Sequence, residues 1–146
     1  MSEKNTQLNH SDNIDELIRK RLLSKDPEER LKLFNKILKV LRTNWVYLVG
    51  WSGFDAWGRY YVSHDRRKCV YIAENERLEP PVRTVKVIEF SDPSELANYI
   101  WIEHKGTIPF KKIAERIKDV FGVDVKMTER NLYIWIMFGE ANESDP

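Results

Sequence analysis

Four short segments between residues 45 and 90 alternate their side chains with a period of two, and this pattern constrains the fold more than any other feature of the chain. The segments are residues 45–49, 59–63, 68–74 and 84–90, and polar or glycine-rich loops separate them. Because successive side chains of a β-strand point to opposite faces of a sheet, the pattern predicts four strands with two unlike faces. Residues 123–138 predict a final hairpin.

Helices are predicted on both sides of the four strands. Asp26-Pro27 and Asp92-Pro93 each combine a capping aspartate with a proline at the first helical position, where no amide donor is needed. Apolar residues then recur at spacings of three and four, and similar stripes follow residue 14 and Pro109. The element order ααββββααββ predicts an α+β fold: a mostly antiparallel sheet with helices packed on one face and an aromatic and basic opposite face.

The two predicted faces of the sheet carry different side chains. Val, Leu and Ile fall on one side and suit a core beneath the helices, and in the second strand Tyr60 joins them. Most other rings fall on the opposite side with Arg59, and an unpaired charge is very costly to bury. This side is therefore predicted to face solvent. The predicted nucleic-acid-binding residues are Trp45, Tyr47, Trp51, Phe54, Trp57, Arg59, Tyr61, Arg66, Arg67, Lys68 and Tyr71.

An accessible aromatic face with basic flanks is suited to single-stranded nucleic acid. Each base offers a flat π-face whatever its identity, and stacking contributes about 1–3 kcal/mol per base. Arginine and lysine side chains would hold the phosphates, and arginine also stacks on bases. Duplex DNA fits less well, because its bases are already stacked and the sequence has no helix-turn-helix or zinc-finger signature. We expect a partner that is single-stranded DNA or RNA, bound with low sequence specificity.

A family resemblance agrees with this expectation. The stretch WVYLVGWSGFDAWGRYYVSHDRRK at Trp45–Lys68 and LYIWIMF at Leu132–Phe138 resemble the ThermoDBP-type archaeal single-stranded DNA-binding proteins, in particular their shorter related branch. The resemblance covers residues 14–139 and rests on order and composition. It implies an aromatic-lined cleft with basic flanks on an α+β domain. A composition rich in Lys, Glu, Arg and Ile also favours a thermophilic source.

Two other functions stay open on the sequence. The stretch YLVGWSGF at Tyr47–Phe54 resembles the chromodomain pattern, in which aromatic side chains cage a methylated lysine, so the rings could bind a protein. They could equally join copies of this chain in a dimer or tetramer. His64-Asp65 could act as the acid–base pair of a small nuclease. Because no other catalytic or metal-ligand spacing occurs, we expect a protein that is not an enzyme and needs no cofactor or metal.

Composition sets the remaining expectations. A chain of 146 residues predicts one domain, over residues 14–139, between a flexible tail at residues 1–13 and a flexible acidic tail at residues 140–146. The net charge is only +1, so a basic site for nucleic acid must be local. The single cysteine, Cys69, excludes an internal disulfide, and no apolar run approaches the ~18 residues of a membrane span. We therefore expect a cytoplasmic protein that does not contact membranes.

Overall fold

The computed structural model describes residues 14–125, so the predicted tails and most of the predicted final hairpin lie outside the described residues. Within this part of the chain, four helices and a four-stranded antiparallel sheet confirm the α+β fold class. The chain divides into two compact units, one up to Glu89 and one from Phe90. The elements are α1 (residues 14–23), α2 (Pro27–Asn44), β1 (Val46–Gly53), β2 (Ala56–Val62), β3 (Cys69–Asn75), β4 (Val82–Ile88), α3 (Pro93–Glu103) and α4 (Phe110–Phe121).

The sheet of the first unit is an antiparallel meander in the order β1-β2-β3-β4. Two residues, Phe54 and Asp55, connect β1 to β2, because Gly53 pairs with Ala56. Asp55 takes the left-handed backbone conformation with φ 55°, and its carbonyl accepts the amide of Glu76 at 2.8 Å. This bond ties the first turn of the meander to the connection between β3 and β4.

Helix α2 begins and packs as its sequence predicts. The side chain of Asp26 accepts the amide of Glu28 at 3.1 Å, and Pro27 occupies the first turn. Ile37 and Leu41 of α2 are fully buried, and together with Ile14 and Ile18 of α1 they form one core with the sheet. Burial of this apolar surface, at roughly 25 cal/mol per Å², is what holds both helices on one face. We call this face the helix side of the sheet and the other the far side.

The second unit has its own apolar contacts. Asp92 caps α3 by accepting the amide of Glu95 at 2.9 Å, and Gly122 ends α4 in the left-handed conformation that the sequence predicts for a stop. The rings of Trp101 and Phe110 lie 4.9 Å apart. The buried residues of this unit are Leu96, Ala97, Ile100, Trp101, Ile108, Ile113, Ile117 and Val125. Residues 123–125, predicted to begin a strand, have no regular structure, and the rest of that hairpin lies outside the described residues.

The prediction of an open aromatic face is wrong, and the strand register gives the reason. Tyr61 pairs with Val70, so it lies on the helix side, whereas Tyr60 pairs with Tyr71 on the far side. The sequence pattern had grouped Tyr60 with Val70 and Tyr61 with Tyr71. Both β2 and β3 carry apolar side chains on their two sides. Alternation alone therefore does not determine which side chains of the two strands lie on the same face of the sheet.

A β-bulge in β1 adds a second reversal. Tyr47 pairs with Tyr61, but the next pair joins Val49 to Tyr60, so Leu48 is an extra residue in the ladder. Tyr47 therefore lies on the helix side. From Val49 onwards, each side chain of β1 lies on the face opposite to the one that strict alternation from Tyr47 would give it. Leu48 and Val49 are both fully buried, and this is incompatible with a strictly alternating strand that is open on one side.

Replacing Asp55 with glycine is expected to stabilise the protein. A non-glycine residue in the left-handed conformation costs about 1–2 kcal/mol, somewhat less for aspartate, and glycine removes this cost. We expect Asp55→Gly to raise the free energy of unfolding by about 0.5–1 kcal/mol in urea melts. Ser52→Gly, in the neighbouring strand, is the matched control and should lower it by a similar amount. A destabilised Asp55→Gly variant would contradict the turn geometry.

Candidate nucleic-acid interface

Three of the predicted binding residues are core residues. Trp45 and Tyr61 belong to the hydrophobic core under α1 and α2, and Tyr71 is buried on the far side with its ring 4.5 Å from that of Tyr60. The prediction that these rings face solvent is wrong, because aromatic side chains here fill both sides of the central strands. A buried ring presents no face on which a base can stack.

Trp57 is half-buried on the helix side, where neighbours surround its indole. Its Nε1 donates to Glu74 Oε1 at 3.2 Å, and the Phe34 ring lies 6.4 Å away, tilted by 51°. The guanidinium of Arg59 stands over the indole at 4.8 Å from the ring centre, a cation–π contact. Glu74 in turn accepts Arg83 Nε at 2.7 Å. Trp57 therefore positions Arg59 rather than offering an open stacking surface.

Trp51 lies on the far side, in an arrangement that only glycine permits. It pairs with Gly58, and its Nε1 donates to the hydroxyl of Tyr71 at 3.0 Å. A Cβ on Gly58 would stand 2.4 Å from both of these atoms. The indole thus crosses directly above the Gly58 backbone, and it remains half-buried.

The accessible part of the predicted site follows the hairpin of β1 and β2. The side chain of Tyr47 is 43% exposed, and Tyr61 supports it through an edge contact at 5.9 Å. A Cβ on Gly50 would lie 3.0 Å from the Tyr47 hydroxyl and 3.2 Å from Arg59 Cγ, so both side chains flank the bare backbone of Gly50. Phe54, at the tip of the turn, is 80% exposed. We call Tyr47, Arg59 and Phe54 the hairpin strip.

The basic turn between β2 and β3 is held by its own hydrogen bonds. Asp65 accepts the Ser63 hydroxyl at 2.6 Å and the Arg67 amide at 3.0 Å, and these two bonds lower the pKa of Asp65. Arg67 is exposed, whereas Lys68 forms an ion pair with Asp15 of α1 at 3.3 Å. The turn joins the β2 end that lies beside Tyr47, so Arg67 is available near the hairpin strip.

His64 and Asp65, the predicted acid–base pair of a nuclease, do not bond to each other in this turn. Arg66 has the left-handed φ of 63°, and its Nη1 donates to the carbonyl of His64 at 2.8 Å. Oδ1 of Asp65 is engaged within the turn, as described above, rather than bonded to the His64 ring. The nuclease hypothesis stays a prediction, and the hydrogen bonds of the turn do not favour it.

Helix α2 carries a row of cations that the sequence analysis missed. Lys32, Lys36 and Lys39 are all exposed and follow one helical stripe, with Arg42 beside its end. Within residues 14–125 none of these four side chains forms an ion pair. We call Lys32, Lys36 and Lys39 the lysine ridge.

A simple signal in the sequence could have found this ridge. Residues 30–54 contain no Asp or Glu, and five Lys or Arg residues give this segment a charge of +5, although the whole chain has only +1. The remaining residues therefore carry −4. The acid-free segment forms most of α2 and all of β1, the strand that carries Tyr47.

Other candidate chemistry is limited among the described residues. Burial raises the pKa of the Cys69 thiol to about 12, so this cysteine stays protonated at neutral pH and unreactive. Within residues 14–125, no group of three or more His, Cys, Asp and Glu side chains is arranged to hold a metal ion. In the same part of the chain, no helix combines the length and the apolar character needed to cross a membrane.

The described residues define an α+β protein with exposed rings on one hairpin and a row of unpaired cations on α2. No protein-family model, curated protein or solved structure matches this chain. The likeness to the ThermoDBP-type proteins therefore stays a prediction from the sequence.

Proposed function

We propose that the protein binds single-stranded nucleic acid, without strong sequence preference, along the hairpin strip and the lysine ridge. The observation that carries the proposal is the exposed ring of Tyr47, whose hydroxyl lies with Arg59 Cγ beside the bare backbone of Gly50. A base stacked on the ring would bring its phosphate to the face of the hairpin that also carries Arg59. Stacking reads no base edges, so this arrangement favours low specificity.

The proposed footprint is smaller than the sequence suggested. Among residues 14–125, Tyr47 and Phe54 are the rings with the most exposed surface, and seven residues of β1 and its turn, or roughly 20 Å, separate them. Arg59 lies between them, and Arg67 lies beyond Tyr47. Two stacked bases with several phosphate contacts would give binding that depends strongly on salt.

The lysine ridge supports the same function by its charge and its place. Lys32 and Lys39 are seven residues apart on a helix, a rise of about 10 Å. Arg42, beside the end of the ridge, precedes Tyr47 by only five residues. A nucleic-acid backbone leaving Tyr47 could therefore continue along α2, where unpaired cations would release its counterions.

A protein partner is the second candidate, and Phe54 is the observation that favours it. A ring that is 80% exposed at the tip of a hairpin is a common anchor for protein contacts. In this case the hairpin would join a second copy of the chain or another protein. Loss of an oligomer on Phe54→Ala in size exclusion, with unchanged affinity for oligonucleotides, would support this candidate over nucleic-acid binding.

The first test measures binding of a fluorescently labelled oligothymidine by anisotropy at low salt. Removing one stacking ring costs about 1–3 kcal/mol, so we expect Tyr47→Ala to weaken binding by roughly 5- to 150-fold. Leu22→Ala, which removes an exposed apolar side chain on α1, is the matched control and should leave Kd unchanged. Wild-type protein that fails to bind any single strand at low salt would end the proposal.

The second test measures how Kd depends on salt. Each phosphate contact to a single strand contributes about 0.7 to the slope of log K against log salt, so Lys36→Gln combined with Lys39→Gln should reduce the slope by about 1.4. The pair Lys111→Gln and Lys112→Gln on α4 removes the same charge from another exposed helix and serves as control. If both double variants show the same slope of log K against log salt, the lysine ridge is not part of the binding surface.

A further inference from the structure

Three arginines line one small pocket in the first unit, and no residue of the hairpin strip belongs to its lining. Arg21 comes from the last turns of α1, Arg30 from the start of α2, and Arg83 from β4. Three prolines, Leu31 and Val82 complete the lining, and the pocket has a volume of about 400 Å³. Its lining contains no acidic residue. The lining of the pocket therefore combines positively charged and apolar side chains.

Arg21 is the unusual member of this group. Its side chain is only 7% exposed, and its Nη2 donates to the carbonyl of Arg83 at 2.9 Å. Its Nε is fully buried and has no hydrogen-bond partner among the described residues. Burial lowers the pKa of Arg21, and the nearby charges of Arg30 and Arg83 lower it further. A buried guanidinium with an unused donor and two cationic neighbours is costly unless an anion compensates it.

The protein itself supplies little compensation. Arg83 forms an ion pair with Glu74, while Arg30 Nη1 donates to the carbonyls of Arg21 at 2.6 Å and Ser24 at 3.3 Å. One carboxylate therefore serves three guanidinium groups. These groups use four hydrogen bonds, although three guanidiniums carry about 15 N–H donors in total. Unused donors and a surplus of two positive charges remain at the pocket.

Stacking on Phe34 holds two of the guanidiniums in place. The guanidinium carbons of Arg21 and Arg83 lie 5.8 Å and 6.0 Å from the centre of this ring. A fixed fork of N–H donors is the geometry that recognises a phosphate by paired hydrogen bonds. Less side-chain freedom is then lost on binding, because the ring has already ordered the arginines.

We propose that this arginine pocket binds the phosphate group of an organic phosphate, with the carbon part of the ligand against Leu31 and the prolines. The group can belong to a small phosphate monoester or to the phosphorylated end of a nucleic-acid strand, because both present the same dianion. The lining of the pocket shares no residue with the hairpin strip, and the proposal does not depend on the function proposed for that strip.

The test uses inorganic phosphate and phenyl phosphate at constant ionic strength. We expect both to raise Tm in a saturable way, and phenyl phosphate to bind more tightly because of the apolar wall; chloride at the same ionic strength should not raise Tm. Phosphorus NMR line broadening with wild-type protein measures the same binding without any variant. The absence of saturable binding by both methods would overturn the proposal.

Variants then locate the site. Arg30→Gln and Arg83→Gln should each weaken phosphate binding tenfold or more, while Arg77→Gln, an exposed arginine outside the lining, should leave it unchanged. Arg83→Lys keeps the charge but loses the fork, so a folded Arg83→Lys protein should still bind more weakly than wild type. Unchanged affinity in all pocket variants would overturn the assignment. Competition by 5′-phosphorylated but not 5′-hydroxyl oligonucleotides would support the pocket and identify a strand end as the source.

Discussion

Phe34→Ala is expected to lower the free energy of unfolding by about 3–5 kcal/mol, the largest effect of any substitution considered for this protein. The side chain is only 1% exposed and belongs to the core between the helices and the sheet. Its ring also contacts Trp57 and carries the guanidiniums of Arg21 and Arg83. Truncation would leave a cavity and would also remove the ring that orders the buried Arg21 and the half-buried Arg83.

Chemical denaturation followed by circular dichroism measures this effect. Leu31→Ala, at an exposed position of the same helix, should change the free energy of unfolding by less than about 0.5 kcal/mol. Phe34→Leu keeps much of the apolar volume but removes the π-face, so its cost separates packing from cation–π attraction, which contributes about 0.5–2 kcal/mol. If Phe34→Leu matches wild type, the arginines gain nothing from the ring.

Gly58→Ala is expected to destabilise the protein by about 1–3 kcal/mol, although it adds only one methyl group. The new Cβ would stand 2.4 Å from Trp51 Nε1 and from the Tyr71 hydroxyl, so the hydrogen bond between these side chains must break or the strands must shift. Tyr71 is buried on the far side and has little room to move. Crowding rather than backbone conformation causes the loss.

Gly53→Ala is the matched control, because a Cβ there meets nothing within 4 Å and the residue lies in the same hairpin. We expect Gly53→Ala to be neutral or to stabilise by up to about 1 kcal/mol, through reduced freedom of the unfolded chain. Adding Trp51→Ala to Gly58→Ala should recover part of the loss, with a coupling energy of about 0.5–3 kcal/mol. Equal stability of the two alanine variants would contradict the close approach of Trp51 to the Gly58 backbone.

Local signals in the sequence predicted which elements occur, but the loop predicted over residues 50–58 is wrong, because residues 50–53 and 56–58 extend β1 and β2 as paired strands. Asp26-Pro27 and Asp92-Pro93 identify two helix starts because capping depends on residues that are adjacent in sequence. The strands were found by alternation, and the meander order follows from the short connections between them. The α+β class needed nothing more than these local rules.

The register of the strands and the burial of their side chains could not be predicted from the alternation of apolar and polar residues. The bulge at Leu48 inverts the rest of β1, and no Gly or Pro at that position marks it. The charge of Arg59 predicts an open face, yet its guanidinium lies over Trp57 while Tyr61, on the same face, belongs to the core. A long side chain can reach solvent from the margin of a covered face, so one arginine does not make the whole face accessible.

The surroundings of the tryptophans have a consequence for spectroscopy. Trp45 and Trp101 are buried, and the indole N–H groups of Trp51 and Trp57 are both bonded to neighbouring side chains. The emission of these four residues should lie towards the blue, and iodide should quench it only weakly. The rings that solutes can reach are those of Tyr47 and Phe54 on the hairpin. A dye attached to the oligonucleotide will therefore report binding more directly than the emission of these four tryptophans.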